Sequence, residues 1–207
     1  VTSNANEEAA QGRRCPPMPP RPDLSTVQFD KPIKLFNGEN LSGWQLQPKA
    51  ARNGWRVEGG EMVNETPKSD FSAYGEFGNL RTTRTFGDCR VHIEFNIGKN
   101  RNSGVYVRGL YEAQVVDRDS RIQGISGPGA IFGRIAPATN AGLPCGQWQT
   151  YDLTLVDRHM TVRLNGKLVI DNQPVMGATG GALFGNVMRD GPLYLQGDHT
   201  SVRYRNV

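Results

Sequence analysis

Cysteine is scarce here, with Cys15, Cys89 and Cys145 the only three, far apart along 207 residues. No C-x-x-C occurs, which removes zinc-ribbon and thioredoxin-type sites. One disulfide with a thiol left over and three separate thiols both stay open, so cysteine does not fix the compartment. Long apolar runs are also missing: none approaches the ~18 residues a membrane span needs, and no membrane span is expected. No charged-then-apolar leader opens the chain at Val1, so any signal peptide is expected to have been removed already. Helix signatures are nearly absent, since no long 3.6-period run with caps is found. Several chemistries lack their motifs. There is no G-x-S-x-G elbow, no H-E-x-x-H, and no P-loop or dinucleotide fingerprint. The E-x-D-x-E strand pattern, which sets two carboxylates on one face for retaining glycosidases, is missing too.

The charge present is mildly positive, +4, and is supplied mostly by scattered arginines. Nucleic acid needs a stripe of phosphate partners, so no nucleic-acid partner is expected. Isolated guanidinium forks suit a small anionic or hydroxyl-rich ligand better. The 25 glycines and 13 prolines imply a chain that turns often. Residues 1–32 read as an extended tail: a polar, non-periodic start, then CPPMPPRP, which favours polyproline conformation. Such a segment either links the domain to something else or drapes over it.

Residues 33–207 read as one domain of short strands. WRVEGGEMVNE places Gly59-Gly60 between two alternating runs, as a hairpin does. CRVHIEFNI alternates, with Val91, Ile93 and Phe95 on one face and His92, Glu94 and Asn96 on the other. YDLTLVD pairs with MTVRLNGKLVID, where Asn165-Gly166 marks a type I′ turn. PLYLQ and SVRYRNV add two more strands. Ten or more short strands joined by Gly, Asn and Asp turns predict an all-β, two-sheet antiparallel sandwich. Two long segments, 117–148 and 172–192, break the rhythm. They read as binding loops or as cover for a sheet edge.

NSGVYVRGLYEAQVVDR, residues 102–118, carries the richest polar content. Val105 and Val107 are expected to face the core, which turns Tyr106 and Arg108 outward. Beyond Gly109, Tyr111, Ala113 and Val115 face in, and Glu112 and Gln114 face out. If the two strands are neighbours, Arg108 reaches Glu112, a contact worth only ~0–1 kcal/mol on an exposed face. Further outward groups are His92, Glu94, Asn96, Tyr194 and Gln196, with His199 just behind. A sheet showing Arg, Glu, Gln, His and Tyr together is suited to a sugar, whose hydroxyls need donors and acceptors and whose ring needs an aromatic face. His159, at a hairpin tip, is expected to be inert. Glu94 and Glu112 are candidates for a carboxylate pair of unknown separation.

The segments LFNGENLSGW, WRVEGGEM, FGDCRVHIEFNI, NSGVYVRGLYEAQVVD, GAIFGRIAPATNA, GQWQTYDLTL, LNGKLVID and GPLYLQGDHTSVRYRNV follow one another in that order. With them the chain, from Ile33 to Val207, resembles the 3-keto-disaccharide hydrolase family. The resemblance implies a concanavalin A-like jelly-roll and a secreted or periplasmic bacterial protein of sugar breakdown. The implied partner is an oligosaccharide or glycoside with an oxidised sugar. The implied reaction starts from a ketone at the third carbon. A base removes the proton at the second carbon, and the group on the first carbon leaves; water then adds, so the net result is hydrolysis. Such chemistry needs a base, an enolate stabiliser and an acid. On this chain His199 or Glu94 is the candidate base. Arg108 is the candidate stabiliser, and Glu112 and Gln114 hold hydroxyls or supply the acid. Tyr106, Tyr194 and Gln196 would bind substrate, while Asn102 and Trp148 shape the rim. No cofactor is certain; a divalent metal on Glu94, Glu112 and His199 is the alternative stabiliser. LQGDHT carries one residue more than the family's commoner LQDHG form. Two other readings remain beside the enzyme: a non-catalytic sugar-binding module on the same sandwich, and an adhesion domain that relies on the Pro-rich tail.

Overall fold

The computed structural model describes residues 16–67 and 76–207. Twelve strands run Trp44–Gln47 (β1), Trp55–Glu58 (β2), Glu61–Asn64 (β3), Asn79–Thr82 (β4), Cys89–Ile97 (β5), Asn102–Val107 (β6), Tyr111–Val116 (β7), Trp148–Val156 (β8), His159–Leu164 (β9), Lys167–Pro174 (β10), Tyr194–Leu195 (β11) and Val202–Arg205 (β12). They form two sheets, one ordered β1-β4-β11-β6-β7 and one ordered β10-β9-β8-β5-β12-β3-β2. Every pairing between these strands is antiparallel. The described residues hold no α-helix, only a 3₁₀ turn at Gly124–Ser126. The fold is the two-sheet antiparallel sandwich that the strand spacing predicts, with the jelly-roll form that the resemblance implies.

Local chemistry sets the turns. Asn165 and Gly166 have φ of 54° and 77°, and Gly59 and Gly60 have 59° and 79°. Positive φ at both central positions is the type I′ requirement, and Asn and Gly accept it at low cost. Alternation sets the faces: Ile93, Phe95 and Ile97 of β5 and Leu153 and Leu155 of β8 are buried inward. From the smaller sheet Leu80, Val105, Val107, Ala113, Val115 and Leu195 meet them.

Two tyrosines of the larger sheet reach through this apolar layer to the backbone of the smaller one. Tyr151 Oη donates to the Gln114 carbonyl (2.5 Å) and accepts from Gly129 N–H (2.9 Å). Tyr204 Oη lies 2.8 Å from Ser103 Oγ, which itself donates to the Gln196 carbonyl (2.6 Å). Burial raises both phenol pKa values, so both hydroxyls keep their protons. The strand carbonyls of Gln114 and Gln196 are therefore fixed from beneath while their side chains point outward.

Residues from Pro16 onward drape over the larger sheet. Buried Arg158 donates to the carbonyls of Pro16 and Pro17, Asn172 Nδ2 donates to Pro22 O (2.8 Å), and Arg21 pairs with Asp171 (2.9 Å). A cavity of about 1210 Å³, lined by Phe29, Ile33, Arg90, His92 and Arg163 among others, separates this segment from the sheet. Cys15 lies outside the described residues, and Cys89 and Cys145 are free thiols. Burial pushes the Cys89 thiol up to about 12, which makes it inert as a nucleophile.

The two long loops attach to the smaller sheet. The 124–135 segment lies along β7: Gln114 N–H donates to Ala130 O and Phe132 N–H donates to Glu112 O, both 3.0 Å. The 175–191 segment folds over the β6–β7 hairpin. Tyr151→Phe is expected to lower unfolding stability by about 1–3 kcal/mol, because two fully buried backbone groups lose their shared partner. A urea midpoint measured at unchanged m-value checks this, and an unchanged midpoint would show that the hydroxyl does not tie the sheets.

Candidate active site

Cross-strand register assembles the site. Gln45 pairs with Arg81, Arg81 with Tyr194, Tyr194 with Tyr106, and Tyr106 with Glu112. Directly opposed residues in antiparallel strands share a face, so these five side chains form one row across the outer face of the smaller sheet. A second row holds Gln47, Asn79, Gln196, Gly104 and Gln114. Asn102 lies two residues before Gly104 on the same face. The expected outward residues Tyr106, Glu112, Gln114, Tyr194 and Gln196 thus come together.

That face is closed rather than open. Glu112 is 3% exposed and Tyr106 1%. Gly104 makes room for the acid, since a Cβ there would lie 2.2 Å from Glu112 Oε1. Tyr106 Oη sits 2.9 Å from Glu112 Oε2 and 3.0 Å from the Gly180 carbonyl, and Gln196 Nε2 donates to it at 3.4 Å. Burial pushes the Glu112 carboxyl up to about 8; the Tyr106 hydroxyl opposes the shift and the nearby Asp198 charge adds to it. Hydrogen-bond counting agrees. A protonated Glu112 donates to Tyr106 Oη, which is then free to donate to Gly180 O; an ionised Glu112 competes with Gly180 O for a single hydroxyl proton. Near neutral pH, Glu112 is mostly a neutral acid.

The other half of the site is the turn after β11. His199 Nδ1 lies 2.6 Å from Asp198 Oδ1. With Asp198 ionised, Nδ1 carries the ring proton and Nε2 the basic lone pair. The turn is tied from several sides. Asn79 Oδ1 accepts from Gly197 N–H (2.6 Å) and Asp198 N–H (3.0 Å), while Asn79 Nδ2 donates to Tyr194 Oη (2.6 Å) and Asp198 Oδ2 (3.2 Å). Asn64 Nδ2 and Thr66 Oγ1 donate to Gly197 O, at 2.9 and 2.6 Å. Thr200 Oγ1 bridges to the backbone of Asn102. Arg81, half-buried, holds Gln47 Oε1 with its Nε (3.1 Å), and the Gln45 amide faces the same guanidinium. The side-chain oxygens of Asn102, Gln114 and Gln196 are buried without a hydrogen-bond partner among the described residues. Buried polar atoms normally have one, and these three share one sheet face.

Three expected site residues stand apart. Arg108 does not reach Glu112. Strand β6 ends at Val107, and Arg108 adopts φ of 57° in the hairpin turn, which swings its guanidinium to the carbonyls of Val187 (3.1 Å) and Arg189 (2.9 Å). Glu94 and Trp148 lie on the outer face of the larger sheet, where Glu94 binds Arg205 (2.7 Å) and Asn206 (2.7 Å) and Trp148 stacks under Arg205. Packed sheets are ~10 Å apart, so Glu94 and Glu112 cannot flank one bond as a glycosidase pair, nor can Glu94, Glu112 and His199 share a metal. No group of three or more His, Cys, Asp or Glu suited to a metal gathers among the described residues. Sequence reading missed Asn79, Arg81 and Asp198. The alternation in WQLQ and NLRT already turns Gln45, Gln47, Asn79 and Arg81 away from Trp44, Leu46 and Leu80.

The family model for the 3-keto-alpha-glucoside-1,2-lyase-like domain matches residues 31–207. The chain belongs to this family. It is therefore a carbohydrate-active protein by family. Among solved structures, a Parabacteroides distasonis ATCC 8503 protein provisionally assigned as a glycosyl hydrolase is 27% identical, with 100% of this chain and 97% of that one covered and a TM-score of 0.66. A further structure from the same organism, with the same provisional assignment, is 19% identical at a TM-score of 0.64, covering 83% of this chain and 89% of that one. The carbohydrate-binding module CBM66 of Bacillus subtilis is 12% identical at a TM-score of 0.52 over 80% of this chain and 93% of the module. The last two likenesses show the fold alone. No curated protein matches the chain.

The enclosed acid gives this family member a pH signature. An acid with folded pKa about 8 and ordinary value 4.5 holds its proton more tightly when folded. Its contribution to stability is complete below about pH 4.5 and is lost as pH rises towards 8. Glu112→Gln lacks this loss. The unfolding free energy of the variant relative to the parent should therefore rise by a few kcal/mol between those two pH values. Chemical unfolding at both checks it; a difference independent of pH would mean that Glu112 titrates like an exposed carboxylate.

Proposed function

We propose that the chain cleaves glycosides whose sugar is oxidised to a ketone at the third carbon. His199 Nε2 removes the proton from the second carbon, and Asp198 steadies the imidazolium that forms. The electron pair of the broken C–H bond moves onto the ketone oxygen as an enolate. Arg81, with Gln45 and Gln47 around it, offers the positive charge nearest that row. The enolate then collapses to a carbon–carbon double bond between the first and second carbons, and the bond from the first carbon to the aglycone oxygen breaks. The departing oxygen receives its proton from Glu112 through Tyr106 Oη. Addition of water across the double bond completes a net hydrolysis. Asn102, Gln114 and Gln196 accept from sugar hydroxyls.

One observation carries this reading: the enclosed Glu112 carboxyl lies close enough to Asp198 to feel its charge, and Asp198 pairs with the His199 imidazole. Paired titratable groups whose surroundings separate them into acid and base are the mark of proton-transfer catalysis. The family description and the 27%-identical relative with its provisional glycosyl hydrolase assignment support it.

The test is incubation with a 3-keto-glucoside and with its unoxidised parent sugar, each with and without a chelator. Selective consumption of the keto sugar is expected, and His199→Asn should lower kcat by about 10²–10⁴-fold while the sugar still binds. Loss of turnover with chelator would bring a divalent metal into the mechanism. Binding without consumption of either sugar would overturn the enzyme reading in favour of a sugar-binding module.

A further inference from the structure

Arg108 is 6% exposed, and its guanidinium lies 3.9 Å from Asp88. Its backbone is left-handed, at φ of 57°. Glycine or asparagine takes that conformation more cheaply than arginine does. An arginine that keeps the position against both backbone preference and burial is held there by what its side chain does.

Its side chain holds a loop. The turn Arg108–Leu110 grips the 175–191 segment at four places. Thr179 N–H and Oγ1 donate to Leu110 O (both 2.9 Å), and Leu183 N–H donates to Gly109 O (2.9 Å). Arg108 Nη2 binds Val187 O and Arg189 O. The first of these points touches the site itself, because Thr179 Oγ1 accepts from Glu112 N–H (3.1 Å). Next along the loop, Gly180 O accepts from Tyr106 Oη, and a Cβ on Gly181 would lie 2.5 Å from that hydroxyl. The backbone of the loop is thus the roof over the Tyr106–Glu112 pair. The Arg108 guanidinium is the only charged one of these anchors, and it fixes the distal half of the loop, where the spacing between anchors is otherwise open to Gly191.

We propose that Arg108 is a positioning residue: its Nη2, shared between the Val187 and Arg189 carbonyls, keeps the 175–191 loop seated on Tyr106 and so keeps water from Glu112. This rests on the reading of Glu112 as the buried acid of the site. The titratable groups around Glu112 are Tyr106 on β6, Tyr194 on β11, Asp198 in the following turn, and Tyr151 and Tyr204 beneath from β8 and β12. The loop's own charges are engaged elsewhere: Arg189 lies over Phe184, and Asp190 packs by Gly87. Loosening the loop therefore changes hydration at Glu112 more than charge.

The experiment is a cycle of the parent, Arg108→Ala, Glu112→Gln and the double variant, unfolded chemically below the ordinary carboxylate pKa and near pH 8. In the parent background, Glu112→Gln should gain stability as pH rises. In the Arg108→Ala background that gain should shrink to less than half, and tryptic cleavage at Arg189 should quicken at least tenfold. An equal gain in both backgrounds overturns the proposal, because a purely structural arginine lowers stability alike at each pH. Should Arg108→Ala not fold, Arg108→Met fills similar space, lacks every donor, and carries the same cycle. No sugar is used, so the outcomes separate. A parent inert on the keto sugar with an altered cycle sinks the functional reading alone, and an active parent with an unaltered cycle sinks the latch alone.

Discussion

A carboxyl group shut away from water is the constraint from which the arrangement of the smaller sheet follows. Glu112 needs space, and Gly104 opposite it supplies the space by having no side chain. It needs a hydrogen-bond partner, and Tyr106 supplies a hydroxyl. Tyr106 then needs an acceptor of its own, and the loop carries the Gly180 carbonyl to it. Each requirement calls up the next. A sheet face covered only for stability would carry branched apolar side chains, with no desolvation cost. The cost is offset below, where the apolar layer and the two tyrosine hydroxyls hold β6, β7 and β11 in register.

The larger sheet shows the contrast. Its outer face and edges carry charges in pairs, Arg56 with Glu58 and Glu65, Arg203 with Glu61, Arg205 with Glu94, and His92 with Asp152. Most of these side chains are about half exposed, and pairs of that kind contribute ~0–1 kcal/mol each and are screened by salt. On the smaller sheet Glu112 and its amide and tyrosine neighbours are enclosed and share partners, and among the described residues three amide oxygens are unmatched. Exposure to water separates the two faces.

This explains which parts were legible in the sequence. Period-two alternation gave every strand face correctly for β5, β6 and β7, and the Gly-Gly and Asn-Gly turns fell where their φ values require. Alternation is a property of one strand, however. It placed Glu94 outward, correctly, but carries no information on which sheet β5 joins. Glu94 and Trp148 were therefore grouped with Glu112 although a whole sandwich lies between. Arg108 failed for another reason: the pattern Val-Tyr-Val-Arg continues past the point where the strand stops. Only the left-handed turn, invisible in residue type because arginine rarely takes it, redirects the side chain. Asn79, Arg81 and Asp198 needed the insertion of β11 between β4 and β6, and the β4–β11 pairing joins residues more than a hundred apart.

The division of labour between the two carboxyls can be read from their donors. Asp198 has an N–H partner for each oxygen, Asn79 Nδ2 on one and His199 Nδ1 on the other, as a carboxylate requires. Glu112 has one hydroxyl, which also has a carbonyl to serve. An oxygen short of donors is satisfied most simply by keeping its own proton, and the enclosing sheet removes the water that would otherwise make up the difference. The charge on Asp198 then reinforces the proton on Glu112, so each group's state supports the other's. Acid and base arise here from similar residues in unequal company. What fixes the inequality is the position of Asn79, whose amide feeds Asp198 and the turn behind it and offers nothing to Glu112.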